Sequence, residues 1–449
     1  MPNDKKSDFD CLKHINETVV SSDALDEKYT VYEHKNGFKS YICSKDMSVT
    51  YALLCVKFGA SDCEYTDACG EHMILPDGSA HFMEHKMFEN PDGSDSFEHF
   101  STLGADSNAY TSNNRTVYLF NCTENFDECL EELLRMVFTP SFKAESVDRE
   151  RGIIAQEILM YSDIPYNRCY ELLMQAMYSK DPVRKNICGS VDSIENISPD
   201  IMYKCWKAFY VPSNMVLSIC GNVPPDHVKD IVDRFFEGFL PAPDNMYSKP
   251  ATVAECIEPR AVNKSFVSEN MPVSRPILCL GYKISDSETD AYERQKREIA
   301  LLILNELLFS HSGELYNDLY DNNMISSWFS ASVSYNRQFA NVTIGTETDD
   351  PEYVADKIKS YVEKVQQCGI GDADFERCRR VVYSEYVGLF DSTEEIAEAL
   401  ADSALGNNSL FDYPIIAENI SKEYVEKIFG EFLSQEYTCI SVILPENVG

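Results

Sequence analysis

A chain of 449 residues with 44% hydrophobic and 25% charged side chains has the make-up of a globular protein of two to four domains, which excludes a disordered or fibrous polymer. Its formal charge of −35 repels phosphate backbones, and no basic stripe interrupts it, so nucleic acid is excluded as a partner. No apolar run reaches the ~18 residues of a membrane span, which leaves no membrane partner to expect.

The opening MPNDKKSDFDCLKH has basic residues but no apolar segment behind them, so a soluble, unexported, cytoplasmic protein is expected. Sixteen cysteines lie scattered without a C-x-x-C pair, which reads as reduced, mostly buried thiols and not as metal ligands.

In chain order, YTVYEHKNGFKSYIC (29–43) predicts two strands about an Asn36, Gly37 turn, and SVTYALLCVKFGA (48–60) a further strand. GSAHFMEHKMFEN (78–90) then predicts a helix of about three turns, with Asp77, Gly78 and Ser79 at its start and Pro91, Asp92 and Gly93 stopping it. Residues four apart share a helix face, so His81 and His85 can offer their imidazoles to one ion, and Glu84 lies within reach of a water on that ion. A zinc ion with three protein ligands brings the pKa of such a water near 7, which makes Glu84 the candidate base. The order H-x-x-E-H is that of an inverted zincin.

A third ligand must come from elsewhere. FDECLEELLRMVF (126–138) and ESVDRERGIIAQEILMY (145–161) both carry one apolar face, and the second offers Glu150 and Glu157 beside its stripe. Seven residues separate these carboxylates by about 10 Å along the axis, so only one can join the ion, and spacing does not choose between them.

The chain also echoes itself. ENISPDIMYKCWKAFYVPSNMVLSICGNV from Glu195 is answered by ENISKEYVEKIFGEFLSQEYTCISVILPENV from Glu418, each reading helix, turn, strand; VDRERGIIAQE from Val147 lies over FERCRRVVYSE from Phe375, setting Glu385 opposite Glu157. Two pairs at nearly one offset predict a duplicated α+β half of about 220 residues. The boundaries that follow are a domain over 1–239 carrying the zinc site, a proline-bearing linker over 240–260, and a domain over 261–449. The second half has His311 but no H-x-x-E-H, so one zinc ion per chain is expected.

Together with LGADSNAYTSNNRTVY, ERGIIAQEI, DIPYN and YVPSNMVLSICGNV, the histidine helix makes the chain resemble the pitrilysin or insulinase-like metallopeptidases, family M16, in its bacterial form of about 450 residues. The resemblance implies two homologous α/β-sandwich domains and selects Glu157 as the third zinc ligand, with Glu150 in support of the site. It also makes GADSNAYTS the edge strand on which a peptide is laid out, with Asn108 and Ala109 as substrate-binding positions. A zinc endopeptidase is implied, cutting unfolded peptides or short polypeptides in a chamber closed by two halves. Active members carry an arginine and, seven residues later, a tyrosine in the second half; Tyr320 and Ser327 stand there instead, with Tyr335 and Arg337 nearby in the wrong order. That gap implies a homologous partner subunit, as a heterodimer or a homodimer. The competing expectations are a non-catalytic assembly subunit of the same fold and a metal-dependent hydrolase of non-peptide substrates.

Overall fold

The structure, a computed structural model, describes residues 16–238, 249–286, 288–336 and 338–446. Residues 240–248 of the expected linker, and Arg337, lie outside the described residues. The chain opens with β1 (Asn16–Ser22), β2 (Glu27–Glu33), β3 (Lys39–Ser44) and β4 (Thr50–Val56), then the short β5 (Glu64–Thr66) and β6 (His72–Ile74). Helices α1 (Ser79–Lys86) and α2 (Ser96–Thr102) precede the hairpin β7 (Asp106–Thr111) and β8 (Thr116–Cys122). Next come α3 (Phe126–Phe138), α4 (Ala144–Ser162), α5 (Pro165–Met177), α6 (Val191–Ile194), α7 (Pro199–Phe209), β9 (Met215–Gly221) and α8 (Pro225–Gly238).

The second stretch begins with β10 (Thr252–Val253), β11 (Phe266–Met271) and β12 (Ile277–Ile284). It continues with α9 (Ala291–Phe309), α10 (Glu314–Asp321), β13 (Phe329–Tyr335) and β14 (Ala340–Glu347). It ends with α11 (Pro351–Cys368), α12 (Asp372–Gly388), α13 (Thr393–Gly406), α14 (Asp412–Asn419), α15 (Lys422–Phe432) and β15 (Thr438–Pro445).

The larger sheet runs β1-β2-β3-β9-β4-β8-β7 and the smaller β11-β15-β12-β14-β13. In both, the strand after the echoed helix is inserted between two earlier strands: β9 runs parallel to β3 and antiparallel to β4, as β15 runs parallel to β11 and antiparallel to β12. The echo is thus one topology used twice, and the fold is the α+β arrangement that the alternating strand and helix blocks predict. Central strands β4 and β9 are buried at every residue, which their unbroken apolar runs TYALLCV and MVLSICG require of strands covered on both faces. The predicted first hairpin is β2 and β3, with Gly37 at φ +83° and the Asn36 carboxamide accepting the Phe38 N–H at 3.1 Å.

The compact units differ from the contiguous halves that the repeat suggests. One takes the chain as far as Ile154, with Ile187–Ala254 and Leu389–Phe411; the other takes Ala155–Asn186, Glu255–Gly388 and the chain from Asp412 onward. Each unit therefore borrows a helix. In the first, α13 buries Ile396, Ala397, Leu400 and Ala401, and its Ala397 carbonyl accepts the Ser218 hydroxyl of β9 at 2.7 Å. In the second, α5 buries Cys169, Leu172 and Leu173, and the Cys169 sulfur lies 3.0 Å from the Ser441 hydroxyl of β15. Helical periodicity declares an apolar face but not the sheet that covers it, so the exchange leaves no mark in the sequence.

The borrowed α5 is held at its exit by Glu258, whose carboxylate accepts the backbone N–H groups of Ser179, Lys180 and Asp181 and pairs with the buried Lys283 ammonium at 2.7 Å. Burial pushes this carboxyl up, but Lys283 and the three N–H donors outweigh it and bring it down to about 2. A carboxylate depressed on folding stabilises above its unfolded pKa near 4.5, and that stabilisation fades as pH falls toward 2. Glu258→Gln should therefore unfold at lower urea than wild type at pH 7, with the gap shrinking by more than half at pH 3. Urea titrations followed by Trp328 fluorescence in a Trp206→Phe background check this, and an equal gap at both pH values contradicts it.

Candidate metal centre

Helix α1 starts where two backbones nearly touch. Gly78 has φ +89°, and a Cβ there would lie 2.4 Å from the Cys188 carbonyl oxygen; Gly189 has φ +79°, and its Cβ would lie 2.4 Å from the Asp77 carbonyl oxygen. The Ser193 hydroxyl donates to that same Asp77 carbonyl at 2.8 Å. Gly78 is thus the N-cap, with no side-chain cap, and Ser79 turns its hydroxyl back to the Pro76 carbonyl at 2.6 Å. This differs from the polar cap expected of Asp77 and Ser79, because the N-cap position falls on a glycine and the Ser79 hydroxyl bonds the Pro76 carbonyl instead. The helix is also shorter than predicted, two turns ending at Lys86, because residues 87–95 go into a turn in which Asn90 N–H bonds the Ser94 carbonyl and Glu89 bridges Asp95.

On this helix His81 is buried and His85 half-buried, their rings 4.6 Å apart and edge to face. A ligand atom from each of His81, His85 and Glu157 lies within 4.8 Å of the others, and this is the one group of its kind among the described residues. Glu157 arrives on α4, a single unbroken helix from Ala144 to Ser162. Arg151, six residues before it, pins that helix by donating to the carbonyls of Ile197 at 2.9 Å and Ile194 at 3.3 Å. Glu150 does not join the group; its carboxylate lies 3.0 Å from His85 Nδ1.

The donor chemistry fits a zinc ion: two imidazoles and a carboxylate, with the rings held in ligating form. Burial, with the neighbouring His85, brings the His81 pKa down to about 3, so its ring is neutral at physiological pH. The His85 hydrogen bond and the Lys86 ammonium hold the Glu150 carboxyl below its usual range against the effect of burial. An ionised Glu150 accepts from Nδ1–H and leaves Nε2 of His85 as the lone-pair donor.

Glu84 faces the β7 edge. Its Oε2 accepts the Thr111 hydroxyl at 2.5 Å. Strand β7 pairs with β8 alone among the described residues, so its other edge is open beside the helix. Asn108 and Ala109 lie on this strand and, with Glu84 and His85, line an open cleft of about 730 Å³ whose far wall includes Phe88 stacked on Phe97. Three neighbours escaped the sequence: Thr111; Cys188, whose sulfur lies 3.8 Å from His81 Nε2; and Lys86, a buried lysine bonded to Glu89 and Ser146 and 3.8 Å from Glu150. Thr111 sits inside the NAYTS segment, so its proximity had a signal; Cys188 and Lys86 had none.

In the second unit His311 bonds the Phe329 carbonyl at 2.9 Å and stacks on Tyr316, which stacks on the half-exposed Tyr320. Ser327 is exposed at the approach to β13. Tyr335 donates its hydroxyl to Asp286, which also pairs with Arg297. The tyrosine near the vacant family positions is thus already engaged in a charged cluster.

The family model described as Insulinase (Peptidase family M16) matches residues 75–191, and that described as Peptidase M16 inactive domain matches 196–382. The chain is 34% identical to the uncharacterized zinc protease YmfH of Bacillus subtilis over 93% of its length and 97% of that protein's. It is 21% identical to the probable inactive metalloprotease YmfF of the same organism, over 72% of this chain and 74% of the other. A crystal structure of a putative M16-like peptidase from Alicyclobacillus acidocaldarius superposes with a TM-score of 0.89 at 27% identity, covering 95% of this chain and all of the other. No helix among the described residues is long and apolar enough to cross a membrane. With both family models met in chain order around the histidine helix, and a zinc protease matched nearly end to end, the chain belongs to peptidase family M16.

Proposed function

We propose that the chain is a zinc-dependent endopeptidase that hydrolyses unfolded peptides or short polypeptides. The observation that carries this is the convergence of His81, His85 and Glu157 within 4.8 Å, beside a carboxylate at Glu84 and an open strand edge at β7. A zinc ion held there would acidify a water and polarise a peptide carbonyl. His81, His85 and Glu157 hold the ion, and Glu150 orients His85 through Nδ1. Glu84 takes the proton of the attacking water and returns it to the departing amine. Asn108 and Ala109 lay out the substrate by adding its backbone to β7, which admits extended chains and rejects folded ones.

Activity in a chamber shared with a second M16-like chain belongs to the same proposal. Tyr320 and Ser327 stand where an arginine and tyrosine are expected, and one organism holds relatives of this chain named as a zinc protease and as a probable inactive metalloprotease. The cysteines among the described residues are free thiols, most of them buried, which suits the reducing cytoplasm where we place the enzyme. The inactive relative also favours a second reading, a non-catalytic assembly subunit, which predicts no cleavage by this chain alone or with its copurifying partner.

Three substitutions separate the roles. Glu84→Gln should retain zinc by metal analysis while kcat on a peptide library falls on the order of 10²- to 10⁴-fold; retained cleavage removes Glu84 from the mechanism. Glu150→Gln should weaken zinc binding about 10- to 100-fold, and Glu157→Gln by more than that. Chelator competition measures both, and equal or reversed losses would mean that the two glutamates are wrongly assigned.

A further inference from the structure

We propose that Thr111 is a positioning residue that couples the peptide-binding strand to the base, holding the Glu84 carboxylate in one orientation through its hydroxyl. The inference rests on the endopeptidase reading for its catalytic consequence and on geometry alone for the contact. Thr111 is the last residue of β7, two positions after Ala109, so the two side chains share one face of the strand about 7 Å apart. Its hydroxyl reaches Glu84 Oε2 at 2.5 Å across 27 residues of sequence. That separation is at the short end of hydroxyl-to-oxygen hydrogen bonds, so the contact is a direct one.

A glutamate at the lip of an open cleft has several rotamers, and only those that aim the carboxylate at the attacking water are useful. The backbone of Thr111 is fixed by its pairing with Thr116 at the hairpin end of β8, so its hydroxyl is presented to Glu84 from a fixed point of the strand. Strand β7 also presents Asn108 and Ala109 to the cleft that Glu84 lines. One strand therefore sets both where the peptide backbone lies and where the base points, and the register between them is a fixed two-residue step. No proton is transferred by Thr111; it donates throughout, while Glu84 carries the proton between water and amine.

Thr111→Val keeps the shape and strand propensity and removes the donor, and Thr111→Ser restores it. The valine variant should lose about 10- to 100-fold in kcat with KM and zinc affinity unchanged, and serine should recover most of the loss. In crystals of the metal-free protein, the Glu84 carboxylate should occupy one orientation in wild type and Thr111→Ser and more than one in Thr111→Val. An unchanged kcat, a loss expressed in KM or in zinc affinity, or a single unmoved Glu84 carboxylate in the valine variant overturns the proposal. If wild type does not cleave peptides at all, the endopeptidase reading fails, and the crystals still decide the contact.

Discussion

The site depends on a match between two lengths. Helix α4 must meet one imidazole, that of His85, from two sides: Glu150 at Nδ1, and Glu157 in the group that includes the ring and His81. Two helical turns separate the carboxylates by about 10 Å along the axis, a span that holds a hydrogen bond, the width of an imidazole and the reach of a ligand. A spacing of three or four residues would bring the acids too close together for one ring to lie between them. Everything else near the site keeps the two helices in that relation: the Gly78 and Gly189 contact sets the start of α1, and Arg151 fixes α4 to the carbonyls at Ile194 and Ile197.

The duplicated topology shows how little of a half is needed for scaffold and how much for chemistry. Strands β12, β14, β13 and the inserted β15 repeat the connections of β4, β8, β7 and β9. In chain order the helix pair α9 and α12 occupies the places among these strands that α1 and α4 occupy in the first copy. Its acids have gone another way: burial, opposed by Arg294, brings Glu298 up to about 7, and burial with Glu306 nearby raises Glu385, the counterpart of Glu157. Burial raises both carboxyls, which makes them weaker ligands for a divalent ion than a carboxylate held ionised by its neighbours, and the second copy also lacks the H-x-x-E-H histidines.

The parts legible in the sequence are those encoded over short spans. His81, Glu84 and His85 declare themselves because four residues make a helical turn, and the hairpin at Asn36 and Gly37 because a turn needs a positive φ. Glu150 and Glu157 are half legible: both border one helix face, but which of them meets the rings depends on where α1 crosses α4, and no spacing within either helix records that. The contacts of Thr111 with Glu84 and of Cys188 with His81 span 27 and 107 residues and follow only from the folded sheet. The exchange of α5 and α13 is hidden for the same reason, since an apolar stripe fits either sheet.

Helix α1 itself shows why the motif was a better guide than the pattern. Six of its eight residues are buried, Lys86 among them, so it has no solvent face and no amphipathic stripe to detect. A buried ammonium is costly unless paired, and Lys86 is paired with Glu89 at 2.6 Å and lies 3.8 Å from Glu150, the carboxylate that orients His85. Two polar residues of α1, His85 and Lys86, are thereby joined through two carboxylates outside the helix: His85 to Glu150, Glu150 to Lys86, Lys86 to Glu89. Removing both carboxylates would leave the Lys86 ammonium buried without a counter-charge, so the set serves the burial of the helix as well as the orientation of His85. Chemistry and packing at this helix are thus one problem with one solution, and a pattern search that treats polar residues as surface is bound to miss it.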